Sequence, residues 1–183
     1  MTDPNEIAIL WRQKFGSVSP IGYRCRAALP DRWLRIHSLP GSKRYPGTSE
    51  EFDELLRRHH LVSNHVLGEA AACTLFVGRY ASEAQELPNM AQFERLPSLD
   101  DTEESLPIHV FGATVTWEAH RFDALIRSVA DDDERLIFFA NLKKGTGYAP
   151  YDGGADLFFA SPQHVGTQKQ AWAEWTSPRK DGL

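Results

Sequence analysis

Three groups of side chains in this 183-residue chain are of a kind that does chemistry: seven histidines, two cysteines, and two polar segments far apart in sequence. The histidines are His37, His59, His60, His65, His109, His120 and His164. A zinc site on a helix wants its histidines one turn apart, as in H-E-x-x-H. The residues four after His59 and His60 are Ser63 and Asn64, and His60 and His65 point in different directions. The spacing therefore supplies no metal set, no metal and no cofactor are expected, and the histidines of this stretch are expected on its solvated side. Nucleophilic chemistry is equally thin, because there is no G-x-S-x-G elbow. Cys73 stands in an apolar run, where a thiol stays protonated. Cys25 lies between Arg24 and Arg26, whose charge favours thiolate if the local backbone brings the guanidiniums near the sulfur.

The first polar segment runs from Arg35 and His37 into Gly41-Ser42-Lys43-Arg44, ahead of a well-capped helix. Helix N-termini attract anions, so Arg35, His37, Ser42, Lys43 and Arg44 are candidates for an anion pocket. The G-x-x-x-x-G-K-[ST] pattern of a phosphate loop is absent. Glu50, Glu51 and Asp53 in the first helical turn offer the plainer account, a basic loop paired with acids. The second segment is Tyr148-Ala149-Pro150-Tyr151-Asp152-Gly153-Gly154-Ala155-Asp156. Its Asp-Gly step predicts a tight hairpin with positive φ at both central residues. It also resembles a fragment of a calcium loop, without the remaining ligands. Asp156 is the less ordinary acid, since carboxylates are depleted in apolar strands. With Tyr148 and Tyr151 it is a candidate to line a small polar pocket; the alternative is a network that satisfies backbone groups. A joint site requires that the two segments converge, with His37 and Asp156 on one face of a sheet.

The elements that must position these groups follow from periodicity and caps. Asp3 or Thr2, Pro4 and Gly16 bracket an N-terminal helix with Ile7, Leu10, Trp11 and Phe15 on one stripe. Tyr23–Leu29 and Trp33–Leu39 read as extended stretches, the second alternating Leu34 and Ile36 with Trp33, Arg35 and His37. Thr48, with Glu51 three residues later, opens a helix Ser49–Leu67 that Gly68 ends. Cys73–Val77 reads as a central strand covered on both faces. Residues 82–107 read as a long acidic, proline-containing loop, in which Met90, Phe93 and Leu96 make one helical turn. Ile108–Trp117 returns to β character, Glu118–Ala130 is helical, and three strands in Leu136–Ala160 form an antiparallel meander before a last helix carrying Trp172 and Trp175. The fold class is α+β: one domain over 1–183, with a mainly antiparallel sheet of five or six strands and about four packed helices.

Composition narrows the function classes. The formal net charge of −5 opposes a general nucleic-acid binder. No apolar run approaches a membrane span, and the acidic, polar start resembles no signal or transit peptide. Two cysteines make no disulfide framework, so the cytoplasm is the expected location. The stretches Arg35-Ile36-His37-Ser38-Leu39-Pro40-Gly41-Ser42-Lys43-Arg44-Tyr45 and Tyr148–Asp156, with the tryptophan-bearing last helix and the Gly182-Leu183 tail, resemble an uncharacterised bacterial family of domains of unknown function. That resemblance implies a bacterial, cytoplasmic, single-domain protein and carries no catalytic assignment. The leading expectation is a non-catalytic binding protein with a protein partner, of which an immunity-like protein is one form; five tryptophans and the acidic loop motivate it. The alternative is a small enzyme or ligand sensor for an anionic metabolite, using the basic loop for charge and the Asp/Tyr pocket for proton transfer.

Overall fold

The computed structural model describes residues 3–83, 86–89, 91–103, 105–177 and 179. Met90 and the Gly182-Leu183 tail lie outside them. Helix α1 (Pro4–Phe15) starts where the Asp3 carboxylate accepts the Asn5 N–H at 2.9 Å, and ends at Gly16, with φ 79°. Helix α2 (Gly22–Ala28) and strand β1 (Trp33–His37) follow. Helix α3 (Ser49–Leu67) is capped by Thr48 Oγ1, which accepts from the Glu51 N–H at 3.3 Å. Glu51 in turn accepts from the Gly47 N–H at 2.6 Å, tying the residue ahead of the cap to the first turn. The rest of the chain is β2 (Ala72–Tyr80), β3 (Glu94–Arg95), β4 (Ile108–Thr116), α4 (Asp123–Ala130), β5 (Ile137–Asn141), β6 (Thr146–Tyr151), β7 (Gly154–Phe158) and α5 (Pro162–Ala171).

The seven strands pair antiparallel throughout, in the order β1-β7-β6-β5-β2-β4-β3. Most antiparallel sheets keep one face wet. This one is covered on both, and every residue of β5 and β7 is buried. On one face, α3 and α4 set Leu55, Val62, Val66, Ile126 and Val129 against Leu75, Phe139 and Leu157. On the other, α1 sets Ile7, Trp11 and Phe15 against Phe76, Phe138 and Phe158. Trp11 stacks on Phe15 at 4.1 Å and meets Phe76 and Phe138 edge-on at 5.1 and 5.3 Å. Large side chains buried this way contribute about 1.5–3 kcal/mol each before entropy is counted. No helix among the described residues is long and apolar enough to cross a membrane.

Several expectations are corrected. Among the described residues the sheet has seven strands and there are five α-helices, against five or six and about four. Tyr23–Leu29 is not extended: Ile21, Cys25 and Leu29 recur at helical spacing, and Cys25 is fully buried beneath α2. Helix α4 begins at Asp123 rather than Glu118, because His120 takes a left-handed φ of 67° and breaks the run. Within 82–107, Phe93 and Leu96 flank β3 instead of forming a helical turn, and Leu96 and Leu99 are buried against the α1 face.

The hairpin between β6 and β7 forms as the Asp-Gly step predicts, with Tyr151 opposite Gly154, but neither Asp152 nor Gly153 has positive φ. The constrained glycine is the next one. A Cβ at Gly154 would lie 2.0 Å from the Ile36 carbonyl oxygen, because β1 crosses against β7 at that point. Gly154→Ala is therefore expected to push β1 off the sheet and cost about 3 kcal/mol, read as a lowered urea midpoint. An unchanged midpoint would show that this approach is not tight in solution.

Candidate functional site

Alternation along β1 sends Leu34 and Ile36 into the α3 side of the core and leaves Arg35 and His37 on the opposite face. The β1–β7 register places Arg35 directly across from Asp156, and His37 across from Gly154. The two polar segments thus converge, 121 residues apart, with His37 and Asp156 on one face. Asp156 is only 4% exposed, and a carboxylate taken out of water must find compensating donors. Three side chains surround it. Trp33 Nε1 donates to Oδ1 at 2.9 Å, and Arg35 donates from Nε to Oδ1 at 3.0 Å and from Nη2 to Oδ2 at 3.4 Å. Arg26, from α2, brings Nη1 to 3.7 Å of Oδ2.

Two guanidiniums therefore share one carboxylate, leaving a surplus positive charge on a site walled by aromatic rings. The Arg35 guanidinium sits 4.6 Å above the Tyr151 ring, and Trp33 lies within 5.8 Å of both arginines. Gly22, Tyr23, Arg26, Arg35, Tyr151 and Asp156 line a cleft of about 210 Å³ between α2 and the β1–β7–β6 corner. Arg26 is the donor with capacity left, since it stands beyond hydrogen-bond distance of Asp156 and its other described contact is the Trp33 ring.

The remaining candidates distribute differently. Arg44 is bound to Asp152 at the hairpin tip, with Nε 2.6 Å from Oδ2, and the Tyr45 hydroxyl donates to the same oxygen at 3.0 Å. Lys43 turns the other way and pairs with Glu51 at 2.6 Å, the plainer of the two accounts of the loop. Ser42 is exposed in the preceding turn, at φ 58°. Asp152 and Asp156 are each held by arginine and do not converge as a calcium loop would. Tyr148 does not join the cleft: it opposes Leu157 and points to the α3 face, where it is fully buried. Sequence reasoning missed Arg26 and Trp33 as site residues. Reading α2 as a helix would have turned Arg26 and Tyr23 toward one surface, since they are three residues apart.

Tyr148 also corrects the reading of the histidines. His59 is not on a solvated helix side; it is 1% exposed, with Nδ1 2.6 Å from Tyr148 Oη and Nε2 2.8 Å from Ser38 Oγ. Burial, with His60 and Arg58 nearby, lowers its pKa to about 3, so the ring stays neutral. His37 is lowered by burial and by Arg35 and Arg58, and its Nε2 has no described partner. It therefore adds no charge to the site near neutral pH. Burial raises Tyr151 to about 12, and pushes the thiols of Cys25 and Cys73 well away from neutrality. Arg24 and Arg26, which flank Cys25, turn to Asp101 and Asp156 instead. The cleft presents two guanidiniums to one carboxylate, and these tyrosine and thiol groups are poorly placed to exchange a proton at pH 7.

A family model described as "Domain of unknown function (DUF3885)" matches residues 21–180, from the start of α2 past α5, and so takes in every residue of the cleft. Comparison with the curated proteins and with the solved structures finds no match.

The buried His59 has a measurable consequence. Its folded pKa lies below the unfolded value of 6.5, so the unfolded chain takes up a proton that the folded one refuses. Its contribution is full above pH 6.5 and is lost as pH falls toward 3, by up to about 1.4 kcal/mol per pH unit. His37 and His65 are lowered as well and act in the same sense. Urea midpoints are expected to fall between pH 7 and pH 5, and less steeply in His59→Gln. Equal slopes in both proteins would mean that His59 accepts a proton without unfolding.

Proposed function

Because the chain belongs to a family of unknown function, DUF3885, which brings no activity with it, we propose its role from the cleft: a non-catalytic binding protein for a small anion. The ligand class is a carboxylate- or phosphate-bearing metabolite. Arg26 supplies the free charge, Arg35 the fixed one, and the Tyr151 and Trp33 rings the walls. A bacterial, cytosolic setting belongs to the same proposal. One observation carries it: a second guanidinium beside a buried carboxylate that the first already neutralises. A cleft of this size admits a ligand of a few heavy atoms, below the range of drug-sized pockets.

The tryptophans support this reading over a protein partner. Trp11 and Trp117 are in the core, Trp33 holds Asp156, Trp172 packs on His65, and Trp175 lies against Arg57 and Arg58. In the acidic loop, Asp100 is bound to Arg95 and Asp101 to Arg24. The tryptophans, and Asp100 and Asp101 of the loop, are thus engaged within the chain.

The test is a calorimetric titration with inorganic phosphate and with succinate, at ionic strength held constant with sodium chloride. Saturable binding of at least one of them is expected. Arg26→Ala should weaken it about tenfold or more, the loss of one charge-assisted hydrogen bond. Arg44→Ala, whose side chain is 64% exposed and serves Asp152, should bind as the wild type does. Absence of saturation for both probes, or equal loss in the two variants, would overturn the assignment.

A further inference from the structure

On the side of the sheet away from the cleft, a side chain of α3 meets two from around the start of α4, about 60 residues on. His60 lies midway along α3, His120 in the turn after β4, and Asp123 at the first position of α4. His60 Nε2 is 2.6 Å from Asp123 Oδ1, and His120 Nδ1 is 3.1 Å from Asp123 Oδ2. The imidazole rings stand edge to face with centroids 4.4 Å apart, and one ligating atom from each residue lies within 4.8 Å of the other two. We propose that His60, His120 and Asp123 bind one divalent transition-metal ion of the zinc class.

The donor set fits that ion. Two imidazole nitrogens and a carboxylate oxygen suit zinc and its neighbours, whereas magnesium and calcium take oxygen ligands. Bonds of about 2.0–2.2 Å around a tetrahedral ion separate its ligand atoms by about 3.2–3.6 Å. The two present hydrogen bonds reach different oxygens of Asp123, so a single ligating oxygen keeps one of them, which widens by an ångström or less. The longer separations within the 4.8 Å set close by up to about 1.6 Å. Three protein ligands leave a fourth position to water, and the burial agrees. The His60 and Asp123 side chains are 15% and 25% exposed and form the floor, while His120 at 75% forms an open rim.

The backbone supplies an independent observation. His120 holds φ 67°, a region that residues other than glycine seldom occupy, and this conformation accompanies an exposed ring turned back onto His60. The turn that carries it is clamped. Trp117 Nε1 donates to Asn64 Oδ1 at 2.7 Å, one helical turn beyond His60, and Trp117 stacks on Phe122 at 5.3 Å. Strain held in place by such supports is a recurrent property of ligand sites. Helical spacing gave no warning of the set, because its members come from α3, a turn and α4 rather than from one helix face. The rival account is a hydrogen-bonded ring that docks α4 on α3 with no ion.

The experiment uses the full chain, cleared of metal with a chelator and dialysed. Zinc is titrated by calorimetry, and cobalt(II) by its visible absorption, which reports nitrogen and oxygen ligation. One ion per chain is expected, with a rise in melting temperature on zinc addition. His120→Ala should weaken zinc binding by at least about tenfold, on the scale of losing even an outer partner of a metal site. His120→Asn, which tolerates the left-handed backbone, should do the same while keeping the fold. The double variant His65→Ala/His164→Ala alters the other histidine-lined cleft and should bind zinc as the wild type does. Failure to bind one equivalent, binding unaffected by either His120 variant, or binding abolished in the double variant would overturn the proposal.

Discussion

A carboxylate cannot be left dry inside a protein without donors, and Asp156 is the place where this chain meets that requirement. Its partners come from α2 and β1, and the residue itself stands on β7. Satisfying one oxygen pair thereby fixes how the outermost strand, its neighbour and a short helix sit together. Breaking such a pair is costly because it strands the remaining charge in low dielectric. The same arrangement makes the corner of the sheet electrically unbalanced, since the helix brings a second cation to a site already neutral. The cleft is thus a by-product of how the edge of the sheet is held.

The opposite face is fastened by neutral polar groups. His59 bridges Ser38 and Tyr148, while Asn141 Nδ2 and Thr146 Oγ1 each donate at 2.7 Å to the last carbonyls of α3, on Leu67 and Val66. Those carbonyls have no partner within the helix, so the sheet completes the helix terminus. Buried hydrogen bonds of this kind have a single correct register, and they align α3 over β5 and β6 in a way that apolar contact alone does not dictate.

Local signals in the sequence were sound where the structure is locally caused. The caps at Asp3, Thr48, Gly16 and Gly68, the apolar stripes of α1 and α3, and the alternation of β1 are each set within a few residues. The failures share another cause. Strand β3 is two residues long and exists because β4 offers it a partner. His59 is buried by a tyrosine 89 positions later. Tyr148 and Asp156 look alike as polar residues in apolar strands, yet the pleat sends them to opposite faces. The two candidate segments were visible as chemistry. That Arg35 and Asp156 meet, and that Arg26 joins them, depends on strand order, which pattern does not encode. Residues 23–29 were misassigned for a simpler reason: seven residues with arginines either side of a cysteine satisfy both periods about equally.

The sheet ends at β1 on one side and β3 on the other, and open margins of β-sheets invite further strands from other molecules. The outermost strand at one margin carries Arg35, whose guanidinium is drawn underneath toward Asp156, with the side chain 14% exposed. The other margin is only Glu94 and Arg95. Both margins are short, five residues at β1 and two at β3, so a foreign strand laid along either would gain few backbone bonds. Brevity at the edges is one of the ways a sheet resists templated aggregation.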